Sequence, residues 1–163
     1  MATFGILTSS DLGARGKRVD TSGQRIREIL TSAGFQEMRY EVVPDERSVL
    51  EERLRSWSDQ DHLDLIATTG GTGLTSRDVM PEATRAVIDR EVPGMAEAMR
   101  MQTLRHTPLA MVSRSVVAVR GRTLIVNLPG NPNAVQQCLE VLMPAIPHAL
   151  EMLQEHPPPH GQG

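Results

Sequence analysis

Residues 68–81, with the sequence TTGGTGLTSRDVMP, indicate how the rest of the chain is organised. The stretch follows an apolar run at 63–67 and precedes a helix-compatible segment at 82–90. This order is typical of a turn that leads from a buried strand into a crossover helix. Because open parallel α/β sheets bind ligands at the carboxyl ends of their strands, the same turn predicts a binding site.

The glycines of this turn favour an anionic ligand. They are Gly70, Gly71 and Gly73, with Thr72 between the last two. Glycine lets the backbone adopt positive φ and approach a ligand closely, and successive exposed N–H groups form a concavity that suits phosphate. The turn has neither the lysine of a Walker A motif nor the spacing of the dinucleotide fingerprint, so it predicts neither of those nucleotide-binding mechanisms.

The remaining chain alternates strand-like and helix-like segments. Strands are predicted at 4–7, 38–43, 63–67, 111–119 and 123–128, and helices at 23–33, 49–57, 82–90, 95–106 and from 132 onward. Three successive strand–helix units imply an α/β fold with a mostly parallel sheet and right-handed crossovers. The strands at 111–119 and 123–128 predict an antiparallel pair, and the polar residues at 113–115 allow a break in the first of them.

Prolines and an asparagine mark the expected helix boundaries. The Pro-Gly pair at 93–94 predicts a break between two helices. Asn131 is predicted to cap the last helix, which Pro144 and Pro147 would kink or divide.

Length and composition indicate one globular domain. The chain has 163 residues, of which 39% are hydrophobic and 23% charged, and this length suffices to bury a core without disulfides or metals. We assign residues 1–155 to this domain and expect the proline-rich tail at 156–163 to be disordered.

Charge, aromatic content and cysteine content argue against some kinds of partner and cellular compartment. A net charge of −3 and an aromatic content of 2% argue against a nucleic-acid partner, which needs a basic surface and stacking aromatics. The lone Cys138 excludes an internal disulfide and suits a reducing compartment. No apolar run approaches the length of a transmembrane helix and the N-terminus carries no signal-peptide pattern, so we expect a cytoplasmic protein without a membrane partner.

Four loops follow the carboxyl ends of the predicted strands and supply the candidate site. Their candidate residues are Ser10 and Asp11, then Asp45, then the glycines with Asp78, and finally Gly130 and Asn131. Two carboxylates beside a phosphate-binding loop would hold Mg²⁺, which neutralises charge in phosphoryl or nucleotidyl transfer. We predict Asp45 and Asp78 as this pair. The alternative for each is that it only caps the helix that follows it.

Several separate motifs, in this order, resemble one protein family. The runs TTGGTGLTSRDVMPEATRAVIDREVPGMAEAMR at 68–100 and SRSVVAVRGRTLIVNLPGNPNAV at 113–135 are similar to the molybdopterin adenylyltransferase family. That family comprises the MogA and MoaB proteins of bacteria and the homologous N-terminal domain of gephyrin. The likeness extends to LTSSD at 7–11, DTSG at 20–23 and VPD at 43–45, so it covers nearly the whole chain.

The resemblance implies a fold, a reaction and partners. The fold would be a three-layer α/β/α arrangement and the assembly a homotrimer. The reaction would be Mg²⁺-dependent transfer of AMP from ATP to the terminal phosphate of molybdopterin, with release of pyrophosphate. The adenylylated pterin would then pass to a molybdate-insertion enzyme of the same pathway.

The same resemblance implies roles for individual residues. Asp45 and Asp78 match the family's essential aspartates and would be catalytic residues and metal ligands. Ser113 matches the serine of a Ser-Arg motif. The other positions that would bind substrate are Ser10, Asp11, Gly70, Gly71, Thr72, Gly73, Gly130 and Asn131.

Three other functions stay open beside this one. A MoaB-type protein could bind molybdopterin without adenylylating it. A CinA-like nucleotide-binding domain would act on a different nucleotide. A scaffold role like that of gephyrin would use the assembly to organise partners.

Overall fold

The computed structural model describes residues 1–154, so the tail predicted at 156–163 lies outside the described residues. Its strands are β1 (Thr3–Ser9), β2 (Gln36–Val43), β3 (Leu65–Thr69), β4 (Arg90–Glu91), β5 (Val117–Arg120) and β6 (Thr123–Leu128). They form one sheet in the order β2-β1-β3-β6-β5-β4. The first three strands and β6 run parallel, β5 is antiparallel to β6, and β4 is antiparallel to β5. The predicted mostly parallel α/β sheet is therefore confirmed.

Helices cover both faces of the sheet. They are α1 (Asp11–Ala14), α2 (Thr21–Ser32), α3 (Arg47–Asp59), α4 (Met80–Val87), α5 (Pro93–Thr103), α6 (Pro132–Leu142) and α7 (Ile146–Gln154), with a 3₁₀ helix at Pro108–Val112. Helices α2, α5, α6 and α7 contribute to one apolar cluster, and α3 and α4 contribute to the other. This gives the expected three layers. Within residues 1–154, none of the helices combines the length and the apolar character that a membrane span requires.

The position of β3 in the centre of the sheet explains why its consecutive residues 65–67 are apolar. All five of its residues are buried. Leu65 and Ala67 belong to the cluster under α2, whereas Ile66 between them belongs to the cluster under α3. Because successive side chains of a strand point to opposite faces, a strand between two helical layers must be apolar on both sides.

The third strand lies two residues later than the predicted 63–67, so Thr68 and Thr69 are strand residues and not the start of the turn. Their hydroxyls are satisfied inside the fold. Thr68 Oγ1 accepts a hydrogen bond from Asn127 Nδ2 at 3.0 Å, and Thr69 Oγ1 donates to the carbonyl of Pro129 at 2.7 Å. A buried threonine is tolerated in this strand because a neighbouring segment supplies a hydrogen-bond partner for its hydroxyl. The pattern of apolar residues in the sequence does not show that such a partner exists.

The chain between α4 and α5 differs from the prediction. The helix predicted at 82–90 ends at Val87, and Arg90–Glu91 pair with β5 as a short edge strand. The predicted break between two helices is confirmed, but it lies at 88–92, before Pro93, which begins α5. Proline is favoured in the first helical turn because the N–H that it lacks would have no intrahelical partner there.

The strand predicted at 111–119 is only partly correct. Its first residues belong to the 3₁₀ helix, and the strand begins at Val117. The break at 113–115 follows from tertiary contacts, since Arg114 N donates to the carbonyl of Thr72 at 3.0 Å. The predicted antiparallel pairing with β6 is confirmed.

The signals around the last helix are confirmed. Asn131 Oδ1 accepts hydrogen bonds from the N–H groups of Asn133 and Ala134, at 2.9 and 3.2 Å, and so caps α6. The chain then divides into α6 and α7, in the region where Pro144 and Pro147 predicted a division.

Candidate active site

The carboxyl ends of β1, β2 and β3 open onto a cleft of about 350 Å³, which we call the first cleft. Parallel strands all end at the same edge of the sheet, so their loops meet there. The predicted site residues that line this cleft are Ser10, Asp11, Asp45, Gly70, Gly71, Asp78 and Gly130. The structure thus brings together residues from all four loops that were singled out from the sequence.

The other four predicted residues lie outside this lining. Thr72 is buried, with 7% of its surface exposed. Gly73 packs against Asp78, whose Oδ2 would lie 2.8 Å from a Cβ at this position. Ser113 and Asn131 line a second cavity of about 420 Å³ beside α5 and α6, which we call the second cavity.

Asp45 is held by the end of β1 and the start of α1. Its Oδ1 accepts a hydrogen bond from Ser9 Oγ at 2.5 Å, and its Oδ2 accepts one from Asp11 N at 3.1 Å. Helix α3 has Glu46 at its N-cap, so the interpretation of Asp45 as a helix cap is wrong. Ser9 was not predicted as a site residue, although its place beside Ser10 at the end of an apolar strand was the available signal.

Asp11 is engaged by the protein itself. Its carboxylate accepts two hydrogen bonds from the guanidinium of Arg77, at 2.9 and 3.0 Å, and a third from Asp45 N at 2.9 Å. The hydrogen bonds from Arg77 are the main cause that lowers the pKa of Asp11, followed by the bond from the backbone of Asp45. Asp11 is therefore an anion whose acceptor positions are largely occupied.

Asp78 folds the end of the glycine turn back on itself. Its Oδ2 accepts hydrogen bonds from Thr75 N at 2.9 Å and from Thr75 Oγ1 at 2.8 Å, and Asp78 N donates to Thr75 O at 3.1 Å. Helix α4 has Val79 at its N-cap, so Asp78 does not cap that helix either. Neither carboxylate of the predicted pair is explained by helix capping.

Arg114 holds the glycine turn from the far side and was missed in the sequence. Its Nε donates to the carbonyl of Gly73 at 2.7 Å, and a terminal nitrogen donates to the carbonyl of Asp78 at 2.8 Å. Two further hydrogen bonds reach the carboxylate of Glu82, at 2.6 and 3.1 Å, and this pairing lowers the pKa of Glu82. The signal that could have found Arg114 was its place directly after Ser113 in the Ser-Arg motif.

Gly70 and Gly71 adopt the positive φ angles expected of the turn, 87° and 70°. A Cβ at Gly70 would lie 2.4 Å from the carbonyl oxygen of Ser9, and one at Gly71 would lie 3.2 Å from Met80 Cβ. The turn can lie directly against the end of β1 only because it carries no side chains at these positions.

Asp20 anchors the start of α2 beside the cleft and was also missed as a lining residue. Its Oδ1 accepts a hydrogen bond from Gly23 N at 3.0 Å, and its Oδ2 accepts bonds from Thr8 Oγ1 and Tyr40 Oη, both at 2.7 Å. Burial of Tyr40, with its hydrogen bond to Asp20, raises the pKa of that phenol to about 12. Because both oxygens of the Asp20 carboxylate already accept hydrogen bonds from the protein, we assign Asp20 a structural role.

The charge of the first cleft is strongly acidic. Its acidic lining residues are Asp11, Asp20, Asp45 and Asp78, and within the described part of the chain Arg18 is its one basic lining residue. In residues 1–154 no group of three or more His, Cys, Asp or Glu side chains could hold a metal ion. Two carboxylates still fit Mg²⁺, because this ion is commonly bound through one or two carboxylates together with substrate phosphates and water.

Comparison with known proteins confirms the family that the motifs indicated. The model of a family described as "Probable molybdopterin binding domain" matches residues 5–148. The chain is 41% identical over 152 residues to a molybdopterin adenylyltransferase of Helicobacter pylori. This match covers 92% of this chain and 86% of that protein. It is 40% identical over 139 residues to the molybdopterin adenylyltransferase of Escherichia coli K12. This second match covers 84% of this chain and 71% of that protein.

A solved structure agrees with these relatives. The chain is similar to the molybdopterin biosynthesis enzyme MoaB of Thermus thermophilus, with 53% identity and a TM-score of 0.90. The match covers 96% of this chain and 99% of the MoaB chain. The three-layer fold expected from the resemblance is therefore confirmed.

Proposed function

The chain belongs to the family of molybdopterin-binding domains, and from this premise we propose that it is a molybdopterin adenylyltransferase. It acts in molybdenum cofactor biosynthesis and transfers AMP from ATP to the terminal phosphate of molybdopterin, with release of pyrophosphate. The observation that carries the proposal is the acidic first cleft at the ends of the parallel strands. It occurs in a chain about two-fifths identical to curated adenylyltransferases over most of its length.

The transfer forms one P–O bond and breaks one. An oxygen of the molybdopterin phosphate attacks the α-phosphorus of ATP, and the bond to the β-phosphate oxygen breaks as pyrophosphate leaves. The attacking phosphate is already an anion, so the protein need not supply a general base. The protein therefore has to position two polyanions and compensate their charge.

Asp45 and Asp78 are the proposed catalytic residues and the proposed ligands of Mg²⁺. When bound, Mg²⁺ neutralises charge on the phosphates. Ser9 orients Asp45 through a hydrogen bond of 2.5 Å, and Arg114 holds the backbone of Asp78 at 2.8 Å. Ligands that are held in one orientation before the metal arrives lose little further freedom when it binds.

Six of the remaining predicted residues bind the substrates in this proposal. Gly70 and Gly71 supply backbone donors to phosphate, with Ser10 and Gly130 beside them. Thr72 and Gly73 support the turn from within. Ser113 and Asn131 line the second cavity, and the turn at 129–131 contributes Gly130 to the first cleft and Asn131 to the second cavity, so an extended substrate that crosses this turn would contact both cavities.

The proposed assembly is a homotrimer, and an exposed apolar surface supports it. Its residues are Met101, Leu104, Leu109, Met111 and Val112, which are between 37% and 71% exposed. They lie on α5, the turn after it and the 3₁₀ helix, which pack against each other. Exposed apolar groups in such proximity are typical of a surface that a protein partner covers. We call this set the apolar surface.

Location and onward transfer complete the proposal. A cytoplasmic enzyme would keep the lone Cys138 reduced. Its adenylylated product would be consumed by a molybdate-insertion enzyme of the same pathway.

Transfer of α-labelled AMP from Mg²⁺-ATP to purified molybdopterin tests the function directly. We expect labelled pterin from the wild type and a loss of at least about a thousandfold in Asp45→Ala and Asp78→Ala, because charge stabilisation by a metal is worth several kcal/mol. Asp61→Ala is the matched control, since this aspartate pairs with Arg39 and does not line the first cleft. Equal activity in all four proteins would reject the two aspartates as catalytic residues.

A MoaB-type protein that binds molybdopterin without adenylylating it is the second candidate. The 53% identity to a structure called MoaB favours keeping it in the test. A folded wild type that binds molybdopterin but transfers no AMP would establish this alternative.

A further inference from the structure

Arg77 and Asp11 join two loops at the edge of the first cleft. The guanidinium of Arg77 donates from Nε to Asp11 Oδ2 at 3.0 Å and from a terminal nitrogen to Oδ1 at 2.9 Å. The side chains are 58% and 28% exposed, so the pair remains in contact with solvent. Arg77 belongs to the loop after β3, and Asp11 begins α1 directly after β1. We call this pair the Arg77–Asp11 bridge.

Each end of the bridge is tied to one of the two proposed metal ligands. Asp78 follows Arg77 directly in the chain. Asp11 exchanges two hydrogen bonds with Asp45, one from Asp11 N to Asp45 Oδ2 at 3.1 Å and one from Asp45 N to Asp11 Oδ1 at 2.9 Å. A continuous series of contacts therefore runs from Asp45 through the bridge to Asp78.

The loop that carries this arginine has little apolar packing to hold it. Residues 74–77 are all exposed. On the other side of the loop, Arg114 binds the carbonyls of Gly73 and Asp78. Thr75 binds the Asp78 carboxylate within the loop, and polar contacts on both sides of the loop hold the backbone that carries it.

A second ion pair has the same geometry as the Arg77–Asp11 bridge but connects different parts of the fold. Arg39 binds Asp61 through two hydrogen bonds, at 2.9 and 3.0 Å, with side chains that are 52% and 23% exposed. Exposed pairs of this kind contribute little to stability. The two pairs differ in what they connect, because only the bridge links loops of the first cleft. Its removal should therefore change the cleft more than the stability of the fold.

We propose that the Arg77–Asp11 bridge sets the spacing of the Asp45 and Asp78 carboxylates, so that both can bind one divalent cation. Arg77 and Asp11 are positioning residues that act through these two aspartates and contact neither metal nor phosphate. This assignment replaces the substrate-binding role expected of Asp11. It rests on the proposed function only where that function assigns the metal to Asp45 and Asp78.

Binding of Mn²⁺, as a paramagnetic substitute for Mg²⁺, tests the bridge without relying on turnover. The free Mn²⁺ signal is followed in the presence of ATP for wild type, Arg77→Ala, Arg77→Lys, Asp11→Asn and the double variant Arg77→Ala/Asp11→Asn. Arg39→Ala is the control that removes an ion pair of equal geometry. ATP affinity in EDTA and the thermal unfolding midpoint are measured for each protein.

We expect Arg77→Ala and Asp11→Asn each to raise the half-saturating Mn²⁺ concentration about tenfold, the usual effect of losing a residue that orients a metal ligand. The half-saturating Mn²⁺ concentration of the double variant should not exceed that of the single variant that binds Mn²⁺ more weakly, because both changes break the same bridge. Arg77→Lys should behave like Arg77→Ala, since lysine lacks the fork that binds both carboxylate oxygens. Arg39→Ala should leave Mn²⁺ binding unchanged and shift the unfolding midpoint as much as Arg77→Ala does.

Any of four results would overturn the proposal. A loss of ATP affinity in EDTA for Arg77→Ala would make this arginine a phosphate ligand. Additive effects in the double variant would mean that the two residues act separately. Unchanged half-saturation in both single variants would show that the bridge has no influence on the metal. A wild type that binds no Mn²⁺ together with ATP would remove the metal site itself.

Adenylyl transfer measured in parallel separates this proposal from the proposed function. Mn²⁺ binding that depends on the bridge, in a wild type that transfers no AMP, would reject the function and keep the bridge. Normal transfer with Mn²⁺ binding that is indifferent to the bridge would do the reverse.

Discussion

The first cleft and the second cavity share the turn at 129–131, which contributes Gly130 to the first and Pro129 and Asn131 to the second, but their linings differ in chemistry. The first cleft is lined by carboxylates, hydroxyls and glycine backbone, and ion pairs and hydrogen bonds hold its side chains. The second cavity is lined in part by the apolar groups of Met99, Leu109, Ala110 and Cys138. The apolar surface contributes Leu109 to it.

This difference shows how one fold separates two tasks. Parallel strands all end at the first cleft, so polar groups from several loops converge there at fixed angles, which suits small, highly charged substrates. The second region is formed by α5, the 3₁₀ helix and α6, and the exposed apolar groups on and between α5 and the 3₁₀ helix suit contact with another protein surface. If the two regions have distinct tasks, substitutions in one should leave the function of the other unchanged.

The largest expected effect is loss of the proposed trimer. In Leu109→Glu/Met111→Glu we expect only monomers, because two charges would have to be buried without partners at the proposed contact between subunits. Leu74→Glu is the matched control, since Leu74 is equally exposed but lies on the loop of the first cleft. Analytical ultracentrifugation at micromolar concentration measures the outcome. A trimer in the double variant, or a monomer in the wild type, would separate the apolar surface from assembly.

The second effect concerns Cys138 at the wall of the second cavity. Burial raises the pKa of this thiol to about 12. At pH 8.5 its thiolate should therefore be roughly a thousandfold rarer than in the unfolded chain, and alkylation should be correspondingly slow. Iodoacetamide labelling followed by mass spectrometry, with and without guanidinium chloride, gives the comparison.

The sign of the pH dependence follows from the same shift. A thiol pKa that is raised on folding adds stability that is complete below the unfolded value of 9.0 and is lost as the pH rises toward 12. Rapid alkylation of the native protein would show that the second cavity is open at Cys138.

The third effect tests the close approach of the glycine turn to β1. Gly70→Ala should lower the free energy of unfolding by about 3 kcal/mol, because its Cβ would collide with a backbone carbonyl in addition to the strain of positive φ. Gly121→Ala is the control, since Gly121 also has positive φ but nothing lies within 4 Å of its missing Cβ. It should cost only about 1 kcal/mol, the strain alone.

Denaturant unfolding at one protein concentration measures both variants, since the proposed assembly would make stability depend on concentration. Equal losses in Gly70→Ala and Gly121→Ala would mean that the first cleft is not closely packed at this turn.

The smallest effect concerns Arg18, a basic residue that lines the acidic first cleft. Arg18→Ala should weaken ATP binding about tenfold, the usual value of a hydrogen bond to a charged group. Lys17→Ala should have little effect, because this neighbouring cation does not line the cleft. Calorimetric titration at two salt concentrations measures both variants. Equal losses would indicate a general effect of charge and not a contact made by Arg18.

Much of the candidate site was predictable because it lies at strand ends. Ser10 and Asp45 lie just after apolar runs and Asp78 lies in the loop that follows one, and sheet topology then requires the ends of parallel strands to meet. Arg77 and Arg114 were missed because their partners are distant in sequence, 66 positions away for Asp11 and 32 for Glu82. A long side chain that reaches across the fold leaves no periodic signal in the sequence.

The sequence by itself determined the α/β class, the order of the longer strands and helices and the acidic character of the loops at the strand ends. These properties depend on short-range patterns of apolar residues, glycine, proline and caps, which act within a few residues. Only the tertiary structure decided that Thr68 and Thr69 are buried strand residues, that Pro93 starts a helix and that Asp11 binds Arg77. The reason is physical: these outcomes depend on partners that distant segments supply, and a residue cannot show its partners until the chain has folded.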